Sequence, residues 1–218
     1  VRHIIEEEKY RVRLCIYDTP GFGDMIDNTN CNLPIISKIK DLYNFHLKKD
    51  SLLDRDMVPL DNRIHVCIYV IPPNGHRLAQ LDLRCLKDLI EITNIIPVIG
   101  RSDSLDPNEL EAYKQRIRED LLSHQICCYP NRRYTVGPKI DSIESEFEII
   151  KQKMPLAVVG ANFFDHTKKK IWRKTRFGDI DILDPSITDL SLLNDILISK
   201  HMLNLIQTTD KIFYEKHR

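Results

Sequence analysis

The chain has 218 residues, 42% of them hydrophobic and 29% charged, a balance typical of one globular domain with a substantial core. The 32 basic and 32 acidic side chains cancel, so a partner bound through overall charge, such as duplex DNA, is not favoured. No apolar run approaches the roughly 20 residues that a membrane-spanning helix needs. The six cysteines show no C-x-x-C spacing, and a reducing cytoplasm is the expected compartment.

Hydrophobic periodicity predicts the elements in the first two thirds of the chain. Residues 3–8 and 10–17 are predicted to form a hairpin, and apolar residues at helical spacing from Leu33 to Leu47 predict a helix. Continuous apolar runs predict three buried strands, at 64–71, 95–99 and 156–160. Further helices are predicted at 78–91, 107–121 and 142–152, with a short strand at 126–129.

The character of the sequence changes from residue 161. A basic stretch over 165–176 precedes residues 177–182, which could be the last strand of a small meander. The chain ends in a predicted helix with apolar residues and His201 at spacings of three and four from Leu190 to Leu205. The alternation of apolar strands and amphipathic helices predicts an α/β fold with a largely parallel sheet.

Asp18 and Gly21 follow the second predicted strand, in the run DTPGFGD over residues 18–24. A carboxylate at a strand end can hold Mg²⁺, usually through water. A glycine three residues later lets its N–H approach a terminal phosphate oxygen closely. An ordinary strand-to-turn junction is the competing interpretation of D-x-x-G alone.

Other polar residues follow the ends of the buried strands, where ligands bind in open α/β sheets. Asp103, in Gly-Arg-Ser-Asp, follows the second of these strands. Its carboxylate could accept two hydrogen bonds from the N1–H and N2–H₂ groups of guanine, which distinguishes guanine from adenine. Alternatively, Asp103 is the N-cap of the helix that begins near Pro107.

The run DTPGFGD resembles the switch-II strand of the septins, a family of filament-forming GTP-binding proteins, and the resemblance covers the whole chain. Arg101 and Asp103 are similar to the family's Ala-Lys-Ala-Asp, with arginine in place of lysine. Gly160 resembles the glycine that ends a septin strand against the base. Arg173 matches the arginine of the septin Gly-Arg-x-x-Pro-Trp-Gly segment, which implies that it stacks on or bonds to the base.

The same resemblance implies roles at subunit interfaces. His76 closes a turn similar to the septin P-x-G-H turn, whose histidine reaches towards the neighbour's nucleotide across a dimer contact. Glu109 matches a residue that reaches this interface, and Phe177 stands where the family has an interface tryptophan. The basic run 168–170 could meet anionic membrane lipid or form a solvated hairpin face.

As a whole, the resemblance implies a P-loop-NTPase-like domain over residues 1–160 and a septin-specific extension, a β-meander plus a helix, over 161–218, packed on the same domain. It implies GTP or GDP with Mg²⁺ as ligands, and no nucleic-acid partner. Other septin subunits are the implied partners, in homo- or hetero-oligomeric filaments for cytokinesis and cortical scaffolding. The implied location is cytoplasmic and cytoskeletal, at the cell cortex or division site.

The phosphate-cradling motif G-x-x-x-x-G-K-[ST] does not occur in the sequence. We therefore expect this sequence to be either a portion of a longer septin or a natural truncation of one. A portion of a longer septin is the preferred explanation, because a parallel sheet without its central strand should be unstable. Slow GTP hydrolysis is expected at most, and only in a longer form. The alternative function is a truncated septin-like interaction module that binds no nucleotide.

Overall fold

A computed structural model describes residues 1–7, 10–19, 23, 26–50, 61–131, 141–165, 170–176 and 178–218. These residues form two compact units, one of residues 1–64 with 217–218 and one of residues 65–216. The predicted division between residues 160 and 161 stays a prediction.

The first unit contains a hairpin and one long helix. Strands β1 (Arg2–Glu7) and β2 (Tyr10–Cys15) pair antiparallel, which confirms the predicted hairpin. His3 lies opposite Leu14 in this pair. Helix α1 (Leu33–Asp50) buries Ile39 and Tyr43, which lie one turn apart and therefore share a face.

The second unit is built on a parallel three-stranded sheet. It consists of β3 (Val66–Ile71), β4 (Asn94–Gly100) and β5 (Leu156–Val158), in the order β3-β4-β5. The central strand β4 is buried from residue 94 to 99, as a strand covered on both faces must be. The edge strand β3 exposes Ile68 and Val70. The predicted α/β class is confirmed.

Helices join and cover these strands: α2 (Gln80–Leu89), α3 (Pro107–Ser123) and α4 (Asp141–Lys153). At the start of α3, the Asp106 carboxylate accepts a hydrogen bond from the backbone N–H of Asn108 at 3.2 Å, and Pro107 occupies the first helical position. Asp106 is thus the N-cap of α3, which excludes that role for Asp103.

The C-terminal region of the second unit contains the predicted meander. Strands β6 (Phe163–Asp165), β7 (Lys170–Thr175) and β8 (Gly178–Asp181) pair antiparallel in sequence order. The chain then continues through α5 (Leu190–Asn194), α6 (Met202–Thr208) and α7 (Glu215–His217), with π-helical turns at Asp195–Ser199 and Thr209–Tyr214.

Two predictions of local structure are wrong. Residues 126–129 do not form a strand: the N–H of Tyr129 donates to Ile95 O at 2.8 Å, but Pro130, which has no N–H, follows at once. The C-terminal helix is not continuous. The N–H of Lys200 donates to Asp195 O, five residues back, and the Thr209 hydroxyl donates to Leu205 O at 2.9 Å, a bond that bends helices.

One hydrophobic cluster of the second unit lies between the sheet and the helices α4 to α6, and buried side chains of α2 and α3, such as Leu86 and Ile117, form part of the core as well. The members of the cluster are apolar side chains from both layers: Ile96, Val98, Phe147, Ile150, Leu156, Leu193, Ile196 and Leu205. Burial of this set contributes to holding the sheet and its strand ends in place. None of the described helices combines the length and apolar character needed to cross a bilayer.

Candidate functional site

The carboxyl ends of the three parallel strands lie side by side. Ile71 pairs with Ile99, and Gly100 pairs with Val158, so the loops that follow β3, β4 and β5 leave the same edge of the sheet. An open cleft of about 420 Å³ lies here, within the usual size range of small-molecule sites. The described residues that line it are Pro72, Pro73, Asn74, Arg101, Ser104 and Arg173.

The loop after β4 has an unusual backbone. Arg101 has φ of 50°, in the left-handed region that residues with a side chain rarely adopt. A turn of 3₁₀-helix (Ser102–Ser104) follows, and the Ser104 hydroxyl donates to Arg101 O at 2.8 Å. Such strained backbone is often found at ligand sites, and here it turns Arg101 into the cleft wall while Ser102 is buried.

Asp103 and Arg173 form an ion pair at the cleft. Arg173 Nε donates to Asp103 Oδ2 at 2.6 Å, although the two residues are 70 positions apart. The Asp103 side chain is only 10% exposed and that of Arg173 25%. Arg173 Nη1 also donates to Gly160 O at 3.4 Å. The structure therefore brings Asp103, Gly160 and Arg173 together, and their predicted contacts with a base remain predictions.

One carboxylate oxygen of Asp103 has no hydrogen-bond donor. Among the described residues, Asp103 Oδ1 and Ser102 Oγ are the buried side-chain polar atoms without a partner. A buried acceptor without a donor costs free energy, about 1–3 kcal/mol or more for a charged group. Such atoms are uncommon in folded proteins, and a site for a ligand with N–H donors is one physical explanation.

A tyrosine from α3 supports the other wall of the cleft. The Tyr113 hydroxyl donates to Pro72 O at 2.9 Å, and Tyr113 itself is fully buried. Burial raises the pKa of Tyr113 to about 12, so the phenol stays protonated and remains a donor at neutral pH. This bond fixes the start of the turn that follows β3.

Two predicted interface residues lie on the surface near this turn and at the start of α3. His76 is exposed, and its backbone N–H donates to the Asn74 side chain at 3.0 Å. The Glu109 carboxylate accepts from the backbone N–H of Asp106 at 3.3 Å and so completes a capping box. Glu109 therefore has a local role in α3, and the interface roles of both residues stay predictions.

The remaining predicted site residues are not among the described residues that line the cleft. Asp18 is exposed, three residues beyond the end of β2. Gly21 and Phe177 lie outside the described residues, as do two members of the basic run 168–170. No group of three or more histidine, cysteine or acidic side chains suited to a metal ion occurs in the described ranges, and the Mg²⁺ role of Asp18 stays a prediction.

Sequence reasoning did not identify several residues of the cleft wall: Pro72, Pro73, Asn74 and Ser104. A signal for the first three was present, because Pro-Pro-Asn-Gly stops an apolar strand abruptly and so marks a strand end at the ligand-binding edge. The pairing of Asp103 with Arg173 had no local signal.

Comparisons with known proteins agree with the resemblance. The family model described as Septin matches residues 1–218. The neuronal-specific septin-3 of Danio rerio is 39% identical over 220 residues, and the match covers 100% of this chain and 60% of the relative. The chain thus spans about 60% of the length of that relative.

Two solved structures are similar as well. The crystal structure of Cdc11 from Saccharomyces cerevisiae has a TM-score of 0.67 and 27% identity, covering 100% of this chain and 87% of that one. The septin GTPase domain from Chlamydomonas reinhardtii has a TM-score of 0.70 at 19% identity, covering 99% and 79%, and shows the fold alone. With a family match over its full length and a fold shared with solved septins, the chain belongs to the septin family.

Proposed function

We propose that the chain is a septin-type subunit that binds guanine nucleotide through the cleft at the carboxyl ends of β3, β4 and β5. The observation that carries the proposal is the Asp103 carboxylate, which is nine-tenths buried beside the cleft and has one oxygen without a donor. A carboxylate in such a place is suited to a ligand that brings N–H groups to it.

Guanine fits this acceptor better than adenine does. It presents N1–H and N2–H₂ on one edge, two donors for the two carboxylate oxygens. Adenine has an unprotonated N1 at the corresponding position, which would face a carboxylate lone pair. Arg101 and Arg173 line the cleft, and the planar guanidinium of each can lie on a purine face.

The backbone around Gly160 also suits a base. A Cβ added at Gly160 would meet no atom within 4 Å, so the space beside its backbone is open for a ligand to approach. Asp18, Gly21 and Mg²⁺ would serve the phosphate end of the nucleotide, as the septin resemblance implies. Bound Mg²⁺ would supply charge neutralisation for the phosphates there.

The subunit is proposed to assemble with other septins into filaments that act in cytokinesis and cortical scaffolding, with the nucleotide mainly structural at subunit contacts. His76, Glu109 and Phe177 are the proposed interface residues, and the exposure of His76 supports this. Contact with anionic lipid through 168–170 is a further part of this proposal. A cytoplasmic, cytoskeletal location follows from such assembly.

Nucleotide binding tests the proposal directly. We expect the purified chain to bind GDP in preference to ADP, measured by isothermal titration calorimetry after nucleotide is removed. Asp103→Asn should abolish the preference for GDP and improve binding of xanthosine diphosphate, because the asparagine amide can donate to the extra carbonyl of xanthine.

Asp106→Asn is the matched control, since the same chemical change at the N-cap three residues away keeps a capping oxygen. Its nucleotide preference should equal that of the unchanged chain. Equal, weak binding of GDP and ADP by the unchanged chain would contradict the proposal and favour the interaction module that binds no nucleotide.

A further inference from the structure

Arg173 lines the cleft and donates a hydrogen bond to Asp103. Arg173 belongs to the wall of the cleft, whereas Asp103 is not among the described residues that line it. The bond from Arg173 Nε to Asp103 Oδ2, at 2.6 Å, is slightly shorter than the usual charge-assisted N–H···O bond of about 2.7–2.9 Å. The turn that holds Asp103 also borders the cleft, since Arg101 and Ser104 on either side of it belong to the wall.

We propose that Arg173 is a displaceable stand-in for the guanine amino group and thereby sets how strictly the site selects guanine. The inference rests on the proposed nucleotide function and concerns the same site. The Nε–H of Arg173 donates to Asp103 Oδ2, an oxygen that the exocyclic amino group of guanine could also use. A base that binds with both donors must move this side chain.

The environment of Arg173 allows such a move. Its side chain is 25% exposed and lies in β7 of the small meander, so it can leave Asp103 without entering the core. Its other described hydrogen bond, from Nη1 to Gly160 O, is long at 3.4 Å. Asp103 by contrast is held in the short 3₁₀ turn after β4 and stays in place.

The two oxygens of Asp103 then respond to different parts of the base. Oδ1, which has no partner, can accept the N1–H that guanine and hypoxanthine share. Oδ2 can keep its hydrogen bond from Arg173 or accept one from N2–H₂, a group that guanine has and hypoxanthine lacks. Guanine gains a bond to Oδ2 only by breaking the bond from Arg173, whereas hypoxanthine leaves that bond intact.

This competition makes a distinctive prediction for selectivity. In the unchanged chain, the amino group of guanine replaces one charge-assisted bond with another. GDP and inosine diphosphate (IDP), whose base is hypoxanthine, should therefore bind with affinities within a few-fold of each other. Without the guanidinium, the amino group meets an oxygen with no charged competitor. Since a bond to a charged group contributes about 1.5–3 kcal/mol, the GDP-to-IDP affinity ratio should rise roughly tenfold or more.

The experiment compares the affinities of GDP, IDP and ADP for the nucleotide-free chain and for three variants. Arg173→Ala removes the stand-in, and Arg173→Lys keeps the positive charge but lacks the Nε–H. Lys174→Ala is the matched control, because Lys174 is the exposed neighbour of Arg173 in β7 and is not among the described residues that line the cleft. The ratio should rise in Arg173→Ala, rise less in Arg173→Lys, whose ammonium can still donate to Oδ2, and stay unchanged in Lys174→Ala.

A second measurement needs no variant. In ¹⁵N-resolved NMR spectra of the unchanged chain, the Arg173 Nε–H signal should be protected from solvent exchange. Saturating GDP should release it into fast exchange, whereas saturating IDP should leave it protected. ADP should leave it protected as well.

The outcomes separate this inference from the function on which it rests. Binding of GDP with an unmoved Arg173 signal, or with an unchanged GDP-to-IDP ratio in Arg173→Ala, overturns the stand-in and leaves nucleotide binding intact. Failure of the unchanged chain to bind GDP in preference to ADP overturns both.

Discussion

The buried ion pair between Lys114 of α3 and Asp189, just before α5, allows a sharp test of what stabilises the second unit. Lys114 Nζ lies 2.9 Å from Asp189 Oδ2, and the two side chains are 10% and 11% exposed. The same oxygen accepts the backbone N–H of Ala157 in β5 at 2.8 Å. The pair therefore connects α3, β5 and the start of α5.

Lys114→Met removes the ammonium group and keeps an unbranched apolar side chain. Removing one partner of a buried pair costs about 3–5 kcal/mol, because a buried charge is left uncompensated. Asp189 would still have the N–H of Ala157 and, at 3.8 Å, the ammonium of Lys153. We therefore expect the low end of that range, a loss of about 3 kcal/mol in the free energy of unfolding.

A second change should recover part of the loss. In Lys114→Met with Asp189→Asn no charge is left unpaired, and the asparagine oxygen can still accept from Ala157. The double variant should be more stable than Lys114→Met alone, since replacing both partners of a buried pair is often nearly neutral.

Equilibrium unfolding in urea at pH 7, followed by circular dichroism, measures these differences. Lys216→Met is the control: Lys216 pairs with Glu91, and their side chains are 60% and 55% exposed, so the expected loss is below about 1 kcal/mol. A loss in Lys114→Met as small as in this control would refute the reasoning. So would a double variant that is no more stable than Lys114→Met alone.

Three further predictions concern single side chains of the second unit. Asp106→Ala should cost about 1 kcal/mol in the free energy of unfolding, measured in urea, because α3 loses its N-cap. Tyr113→Phe should cost a similar amount, about 1 kcal/mol, because Pro72 O is left without its donor; urea unfolding measures it. Burial holds the pKa of His201 below its ordinary 6.5, so a thermal melt series should show stability falling as pH drops below that value, and His201→Phe should flatten the decline.

Acid should destabilise the chain at His201 because the imidazole binds a proton more readily in the unfolded chain than in the folded one. The Glu146 carboxylate, 3.8 Å away, raises the pKa of His201 and so opposes the effect of burial without reversing it. An unchanged acid decline in His201→Phe would contradict the assignment of that decline to His201. Asp106→Asn is the control for Asp106→Ala, and Tyr17→Phe, at an exposed tyrosine, is the control for Tyr113→Phe. If a control lost as much free energy of unfolding as its test variant, the cause assigned to that variant would be wrong.

Strand ends could be predicted from the sequence because the apolar runs are long and stop at clear breakers. Parallel strands present their carboxyl ends at one edge, so placing Asp103 near Gly160 needed only the order of the elements. The position of Arg173 came from the family resemblance, because nothing in the periodicity of a basic meander strand says what its side chains reach.

The ion pair of Arg173 and the breaks in the C-terminal helix could not be predicted, because neither leaves a signal in the local sequence. Arg173 could have paired with any exposed acidic side chain, and its pairing with Asp103 depends on how β7 lies against the loop after β4. In the C-terminal helix, the apolar spacing was correct, since Leu193 and Leu205 are buried. Hydrogen bonds five residues back conserve that buried face while interrupting the α-helical pattern, so the periodicity carries no sign of them.

The outer edge of β3 affects how the protein must be handled. Among the described residues β3 hydrogen-bonds to β4 alone, and Ile68 and Val70 on this strand are 40% and 63% exposed. An uncharged sheet edge with exposed apolar side chains can pair with other chains, so aggregation should increase with protein concentration. Val70→Lys should raise the concentration at which light scattering first increases, whereas lysine at the already exposed Leu203, on α6, should not.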